Sequence, residues 1–292
     1  KPSSAASDVY KRQNLTRATP VFENINQLIA NVEKIDISSS QMQVQIYWDP
    51  ELIGKISDDA QQLFITDDDR IRIIEYYESI NAIATTIPTD IRAISLNALL
   101  VPLFTEAQER SDNGNDPIDE NRSLLQALAI YVSNEDLSQL VGETMAAEIP
   151  RAKFIEVRLQ RRQDLAQHVT SIAAISALAG AELAKFLSTT KEAYDARYRS
   201  GFSFSDLTAN TVGVTLANYL TANSASAIEM QRRLSKILTE SDYMPEVGNN
   251  RDGISETDFN AIYIDRNSTE YNQRLEEIQS LIDARPLFQG LQ

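Results

Sequence analysis

The spacing of apolar residues along the chain predicts helices over most of its length and strands at two places. Val21, Ile25, Ile29 and Val32 recur at helical spacing after Pro20, so the pattern reads as a helix over 21–34. In the stretch 41–48, Met42, Val44, Ile46 and Trp48 alternate with Gln41, Gln43 and Gln45, the period-two signature of a strand that is polar on one face. Asp67, Asp68 and Asp69 then stand at the head of a helix over 70–84, where carboxylates complement the positive end of the backbone dipole. Pro88, Thr89 and Asp90 open a further helix over 91–110, and Pro102 inside it predicts a kink or a break. Ser111 to Pro117 form a turn-rich loop before a strongly amphipathic helix over 118–132, which buries Leu124, Leu125, Leu128 and Val132.

After Pro150, Ile155, Val157 and Leu159 alternate with Glu156, Arg158 and Gln160, predicting a second strand over 153–160. Two short strands are marginal alone, so the expectation is that they pair with each other or rest as hairpins on the helices. From Asp164 the pattern is helical again, over 164–187, 191–198, 205–220, 224–240 and 268–284. The fold class expected is mainly α, a single helical-bundle-like domain with a minor two-stranded β element. Residues 14–94 are read as an N-terminal segment continuous with a helical core over 95–292. Val169 to Leu187 is the most apolar stretch, but Thr170, Ser171, Glu182 and Lys185 interrupt it and alanine dominates it. It reads as a buried bundle helix, with no transmembrane span in the chain.

Charge and composition narrow the chemistry. The 292 residues carry 42 acidic and 27 basic side chains, a formal net charge of −15, one histidine and no cysteine. Disulfides, thiol nucleophiles and Cys-ligated metals are thereby excluded, as are zinc sites built on two or three histidines of one chain. The acidity disfavours nucleic acid as a partner.

One constellation remains. Asp164 and His168 are four residues apart and share a helix face; Asp206 and Asn210 do the same on another helix. Lys191, Glu192 and Asp195 lie in the segment between them. Ser203 and Asp206 have capping-box spacing, and Gly213 leaves room for a crossing helix. Three readings follow. In the structural one, Asp206 and Asp164 serve helix ends and His168 bonds a carboxylate inside the bundle, and this is preferred because buried polar groups satisfy one another. In the second, His168, Asp164, Glu192 and Asp206 hold a divalent metal. In the third, His168 is a general base oriented by Asp164. Elsewhere, Asp252 and Gly253 fail the spacing of a calcium loop, and a turn followed by a helix cap at Ser255 is expected instead. Arg158, Arg161 and Arg162 form a basic cluster expected to pair with acids. Phe202, Phe204, Tyr194, Tyr198 and Tyr219 are expected to pack around a helix junction.

The motifs DLAQH (164–168), KEAYD (191–195) and GFSFSDLTA (201–209), with the ENR-led helix before them and GISETDF (253–259) after, resemble a family of uncharacterised proteobacterial envelope proteins. More distantly, their spacing is similar to small lipoproteins of unknown function and to VanZ-like proteins. Val169 and Asn210 depart from the commoner pattern of an aromatic and an Asp at those places. The resemblance implies a periplasmic or envelope-associated protein, without implying a reaction or a cofactor. Its expected partner is an unknown protein or envelope component. Lys1 to Gln13, KPSSAASDVYKRQ, resemble a translated sequencing-adaptor leader found on metagenomic reading frames. That resemblance implies a natural start near Asn14, with any targeting signal lost upstream.

Overall fold

The computed structural model describes residues 32–37, 42–46, 65–179, 201–236, 239–264 and 268–291. Backbone contacts divide the chain into two units, Lys1–Ile65 and Thr66–Gln292. The fold is mainly α.

In the first unit, strands β1 (Val32–Ile37) and β2 (Met42–Ile46) pair antiparallel, with Ile35 opposite Val44 and Ile37 opposite Met42. The alternating stretch at 41–48 is therefore a strand where it is described. Val32 to Lys34, expected at the end of a helix, are instead the first residues of β1. The register sets apolar residue opposite apolar residue, and β-branched Val32, Ile35 and Ile37 favour extended backbone. Residues 21–31 of that expected helix lie outside the described residues.

The second unit opens with α1 (Asp67–Thr86), capped by a reciprocal pair: Asp69 N–H donates to Thr66 Oγ1 at 3.2 Å and Thr66 N–H to Asp69 Oδ2 at 2.8 Å. Its buried residues Ile73, Tyr76, Tyr77, Ile80 and Ala84 form one stripe. Strand β3 (Ala93–Ser95) and helix α2 (Asn97–Asp112) occupy the stretch expected to be one helix. Helix α2 runs unbroken through Pro102, which supplies no amide to the Ala98 carbonyl. Helix α3 (Pro117–Ser133) starts as its sequence dictates, with Asp116 Oδ1 accepting from Ile118 N–H at 2.8 Å and Pro117 at the first helical position. Two single turns follow, α4 (Ser138–Val141) and α5 (Glu143–Ala146), then strand β4 (Glu156–Arg158).

The two strands predicted from sequence do not pair with each other. β4 pairs parallel with β3, in the register Ala93↔Glu156 and Ser95↔Arg158. A parallel pair needs a crossover, and α2 and α3 provide it. Residues 151–155 strap this crossover down: Lys153 Nζ donates to the Ile87 carbonyl at the end of α1, and an Arg151 guanidinium nitrogen to the Asn134 carbonyl at the end of α3. Each cation thus meets the negative end of a helix.

Helix α6 (Gln163–Ala179) packs between α3 and α7 (Phe204–Thr221), and α8 (Ser224–Leu234) packs on α2. A 3₁₀ turn at Glu240–Asp242 and helices α9 (Glu256–Tyr263) and α10 (Thr269–Asp283) complete the unit. Helix α8 thus ends at Leu234, short of the helix expected over 224–240. Leu124, Leu125, Leu128 and Val132 are buried as expected. Asn121 and Gln126 of α3 are buried with them and, together with half-exposed Arg122, reach outward to neighbouring helices. Gln126 donates to the Ala174 carbonyl of α6 at 2.8 Å, Arg122 to the Ala177 carbonyl at 3.1 Å, and Asn121 to the Leu220 carbonyl of α7 at 2.9 Å. No helix among the described residues is long and apolar enough to cross a membrane.

Candidate functional site

The α6–α7 crossing positions the one histidine. At Gly213 a Cβ would stand 2.6 Å from the Val169 carbonyl oxygen and 3.0 Å from the Ala173 nitrogen, so only glycine lets the two backbones meet there. The approach brings the polar first turns of both helices together. His168 Nδ1 lies 2.9 Å from Asn210 Oδ1, and His168 Nε2 lies 3.4 Å from Asp206 Oδ2. Both ring nitrogens of an α6 residue therefore face oxygens of α7. His168 and Asp206 are mostly buried, and Asn210 is fully so, with its Nδ2 lacking a hydrogen-bond partner among the described residues.

Arg162 is the hub of the cluster. Its guanidinium contacts Asp164 at 2.5 Å, Asp252 at 2.9 Å and Asp206 at 3.3 Å, three carboxylates from three parts of the chain. A two-residue turn aims it. Gln160 and Arg161 both adopt positive φ, 50° and 66°, and Leu159 bridges Arg162 across them. Side-chain residues other than Gly and Asn resist this conformation. Gln160 holds it through bonds to Glu240, to the Pro245 carbonyl and from the Val247 amide.

Asp252 closes the arrangement from the C-terminal side. Its Oδ1 accepts from Ser205 N–H and Ser203 Oγ–H, both at 2.9 Å, so it satisfies the start of α7. Ser203 caps the same helix, accepting from Asp206 N–H at 3.0 Å. Phe202 and Ile254 exchange backbone bonds beside it. Gly201, at φ 87°, sits so close to Gly253 that a Cβ would fall 2.5 Å from the Gly253 carbonyl carbon. Ser255 caps α9, accepting from Asp258 N–H at 3.1 Å, which is the turn and cap expected in place of a calcium loop.

The electrostatics follow the contacts. Burial pushes the Asp164 carboxyl up, but the Arg162 guanidinium beside it outweighs burial and holds it below the ordinary Asp value of 3.8. Burial acts the same way on Asp252, and the donors of Ser205, Arg162 and Ser203 again leave its carboxyl below 3.8. Arg162 is held more firmly protonated by its bond to Asp164.

The structure thus brings Asp164, His168, Asp206 and Asn210 to one place. Lys191, Glu192 and Asp195 lie outside the described residues, as do Tyr194 and Tyr198. Among the described residues no group of three His, Asp or Glu side chains is arranged to hold a metal ion. Phe202 and Phe204, 4.9 Å apart, pack with Phe259, Tyr263 and Tyr271 at the junction of α7, α9 and α10. Tyr219 is not among them and stacks on Phe288 at 5.9 Å.

A second polar cluster escaped sequence reasoning. Glu120 of α3 is fully buried; it accepts from Tyr76 Oη at 2.6 Å and Asn115 Nδ2 at 2.8 Å, with Arg110 at 3.8 Å. Arg110 also lies 4.8 Å over the Tyr76 ring and bonds Glu75 and Glu106. The only signal in the sequence is the pairing of Glu120 with an apolar stripe, which local spacing does not distinguish from a solvated acid.

No protein-family model, curated protein or solved structure matches this chain.

Proposed function

We propose that the chain is a cell-envelope protein that acts by binding or structural interaction rather than by catalysis. One observation carries the non-catalytic part. At the His168 cluster the polar side chains of α6 and α7 engage one another, with both ring nitrogens facing α7 and Arg162 shared by three carboxylates, while Asn210 Nδ2 has no partner among the described residues. Such a cluster fastens helices; a catalytic base needs a reacting proton within hydrogen-bond reach. The envelope location rests on the family resemblance of the DLAQH, KEAYD and GFSFSDLTA motifs. Fractionation of cells that naturally produce the protein tests that location. Recovery in the cytoplasmic fraction alone would reject it.

A second reading is a metal-dependent or acid–base enzyme centred on His168 with Asp164, Glu192 and Asp206. The 3.4 Å approach of His168 to Asp206 favours it, because a carboxylate against an imidazole suits either role. Metal analysis of the purified chain separates the two. The binding reading expects no stoichiometric metal, whereas a metal retained by the wild type and lost in His168→Ala would establish the second.

A further inference from the structure

We propose that the outward edge of β3 is a self-association surface that takes the same edge of a second copy of this chain. The reading goes beyond the binding role above and does not depend on where the protein resides.

The ladder leaves that edge open. Glu156 N–H donates to the Arg92 carbonyl and Leu96 N–H to the Arg158 carbonyl, so Arg92, Ile94 and Leu96 are the residues of this stretch that face β4. By alternation, the amides and carbonyls of Ala93 and Ser95 point away from it. No partner for these groups occurs among the described residues. The far edge of β4 is not available in the same way: Ile155 N–H donates to Tyr131 Oη, Leu159 exchanges bonds with Arg162, and Val157 between them is fully buried. A two-stranded parallel sheet open on one side is an unfinished element, because parallel strands occur in larger, covered sheets.

Charge selects the occupant. Arg92, exposed at the start of β3, has no acidic partner among the described residues, whereas most arginines of the second unit do. Glu240 sits at the other end, accepting from Ser95 Oγ and Gln160 N–H, with no cation beside it among the described residues. The edge is therefore positive at one end and negative at the other. An antiparallel second copy, related by a two-fold axis at Ile94, places Ala93 opposite Ser95 and Ser95 opposite Ala93. Those two pairs exchange four main-chain hydrogen bonds. The same register carries each Arg92 toward the Glu240 end of the other copy. Exposed Ile91 extends the contact toward the opposite Asn97. The result is a continuous four-stranded sheet, β4–β3–β3–β4.

A three-residue edge makes a weak contact, and a net charge of −15 on each copy opposes it at low salt. Association is therefore expected at physiological ionic strength, where charges more than about 8 Å apart are screened. Sedimentation equilibrium of the full chain from micromolar to millimolar concentration is the test. A monomer–dimer equilibrium is expected. Of the main-chain donors, Ala93→Pro removes only an outward amide, and it should lower the association constant roughly tenfold or more. Ala93→Ser keeps that amide and should leave the constant unchanged, while Arg92→Glu should also weaken it. Amide exchange at Ala93 and Ser95, slowing as concentration rises, provides a readout independent of any variant. A chain that stays monomeric throughout overturns the proposal. So does a dimer that Ala93→Pro leaves intact, or exchange at these amides that ignores concentration.

Discussion

Glu120 shows what one side chain does when it has no access to water. Its carboxylate is surrounded by α1, α2 and α3, and Tyr76, Asn115 and Arg110 answer it. A buried carboxylate deprived of a donor costs far more than the hydrogen bond is worth in net stability, because the group left behind cannot be hydrated. Tyr76→Phe should therefore destabilise the fold by about 1–3 kcal/mol, measured by urea unfolding with an unchanged denaturant slope. Glu120→Gln in the Tyr76→Phe background should recover part of that loss, since a neutral amide needs less solvation. If the single and double variants are equally stable, the carboxylate is not relying on Tyr76. The same tyrosine hydroxyl is pushed up in pKa, first by burial and then by its bond to Glu120, so it remains a donor across the working pH range.

At the scale of elements, the α6–α7 crossing depends on a missing side chain. Gly213→Ala would drive a methyl into the Val169 carbonyl, and backbone, unlike a flexible side chain, cannot turn aside. The variant should lose about 1–3 kcal/mol, and a thermal melt followed by circular dichroism would register it. The crossing was legible in advance because a glycine inside an apolar helix, beside two polar i, i+4 pairs, has few other uses. The helix starts at Ser203 and Ser255 were legible for a similar reason, since each is a short polar residue followed by amides that need an acceptor; the caps at Thr66 and Asp116 were not singled out. Strand β3 was not. Three residues, Ala-Ile-Ser, carry no period, and their partner Glu156–Arg158 is brought to them by a crossover that local pattern does not encode. The histidine cluster was half legible. Spacing announced Asp164 with His168 and Asp206 with Asn210, but not Arg162 as their hub. Its aim comes from a turn at Gln160 and Arg161 that lacks the Gly or Asn usual at positive φ, and from bonds to a segment about eighty residues away. Arg162→Met should loosen this hub by about 1–2 kcal/mol, since each half-exposed pair is individually weak. Loss of all effect in an Asp164→Asn, Asp252→Asn background would confirm that the arginine acts through those carboxylates.

Across the whole molecule the excess of acids makes the cations the scarce component, and their placement decides how the fold answers to pH. Arg162 is spent on Asp164, Asp206 and Asp252 together, and Arg232 and Arg233 on Glu229, whose carboxyl their bonds lower to about 2. Asp164 and Asp252 likewise titrate below the ordinary Asp value of 3.8 in the folded chain. A carboxylate whose folded pKa lies below its unfolded one binds fewer protons when folded. It adds stability above the unfolded pKa, and that stability drains away as pH falls through the folded value. Between neutrality and about pH 5 these groups should therefore leave stability flat, because they are ionised in both states. Below pH 3.8 the free energy of unfolding should drop steadily as protons enter the unfolded chain first. Arg162→Met removes the cation that depresses Asp164 and one of the donors on Asp252. Its stability should start lower at pH 7 and fall less steeply on acidification, so the two curves converge. Urea denaturation at a series of pH values measures both slopes. Parallel curves would mean that the carboxylates around Arg162 do not owe their low pKa values to it, and that the acid sensitivity of the fold arises elsewhere.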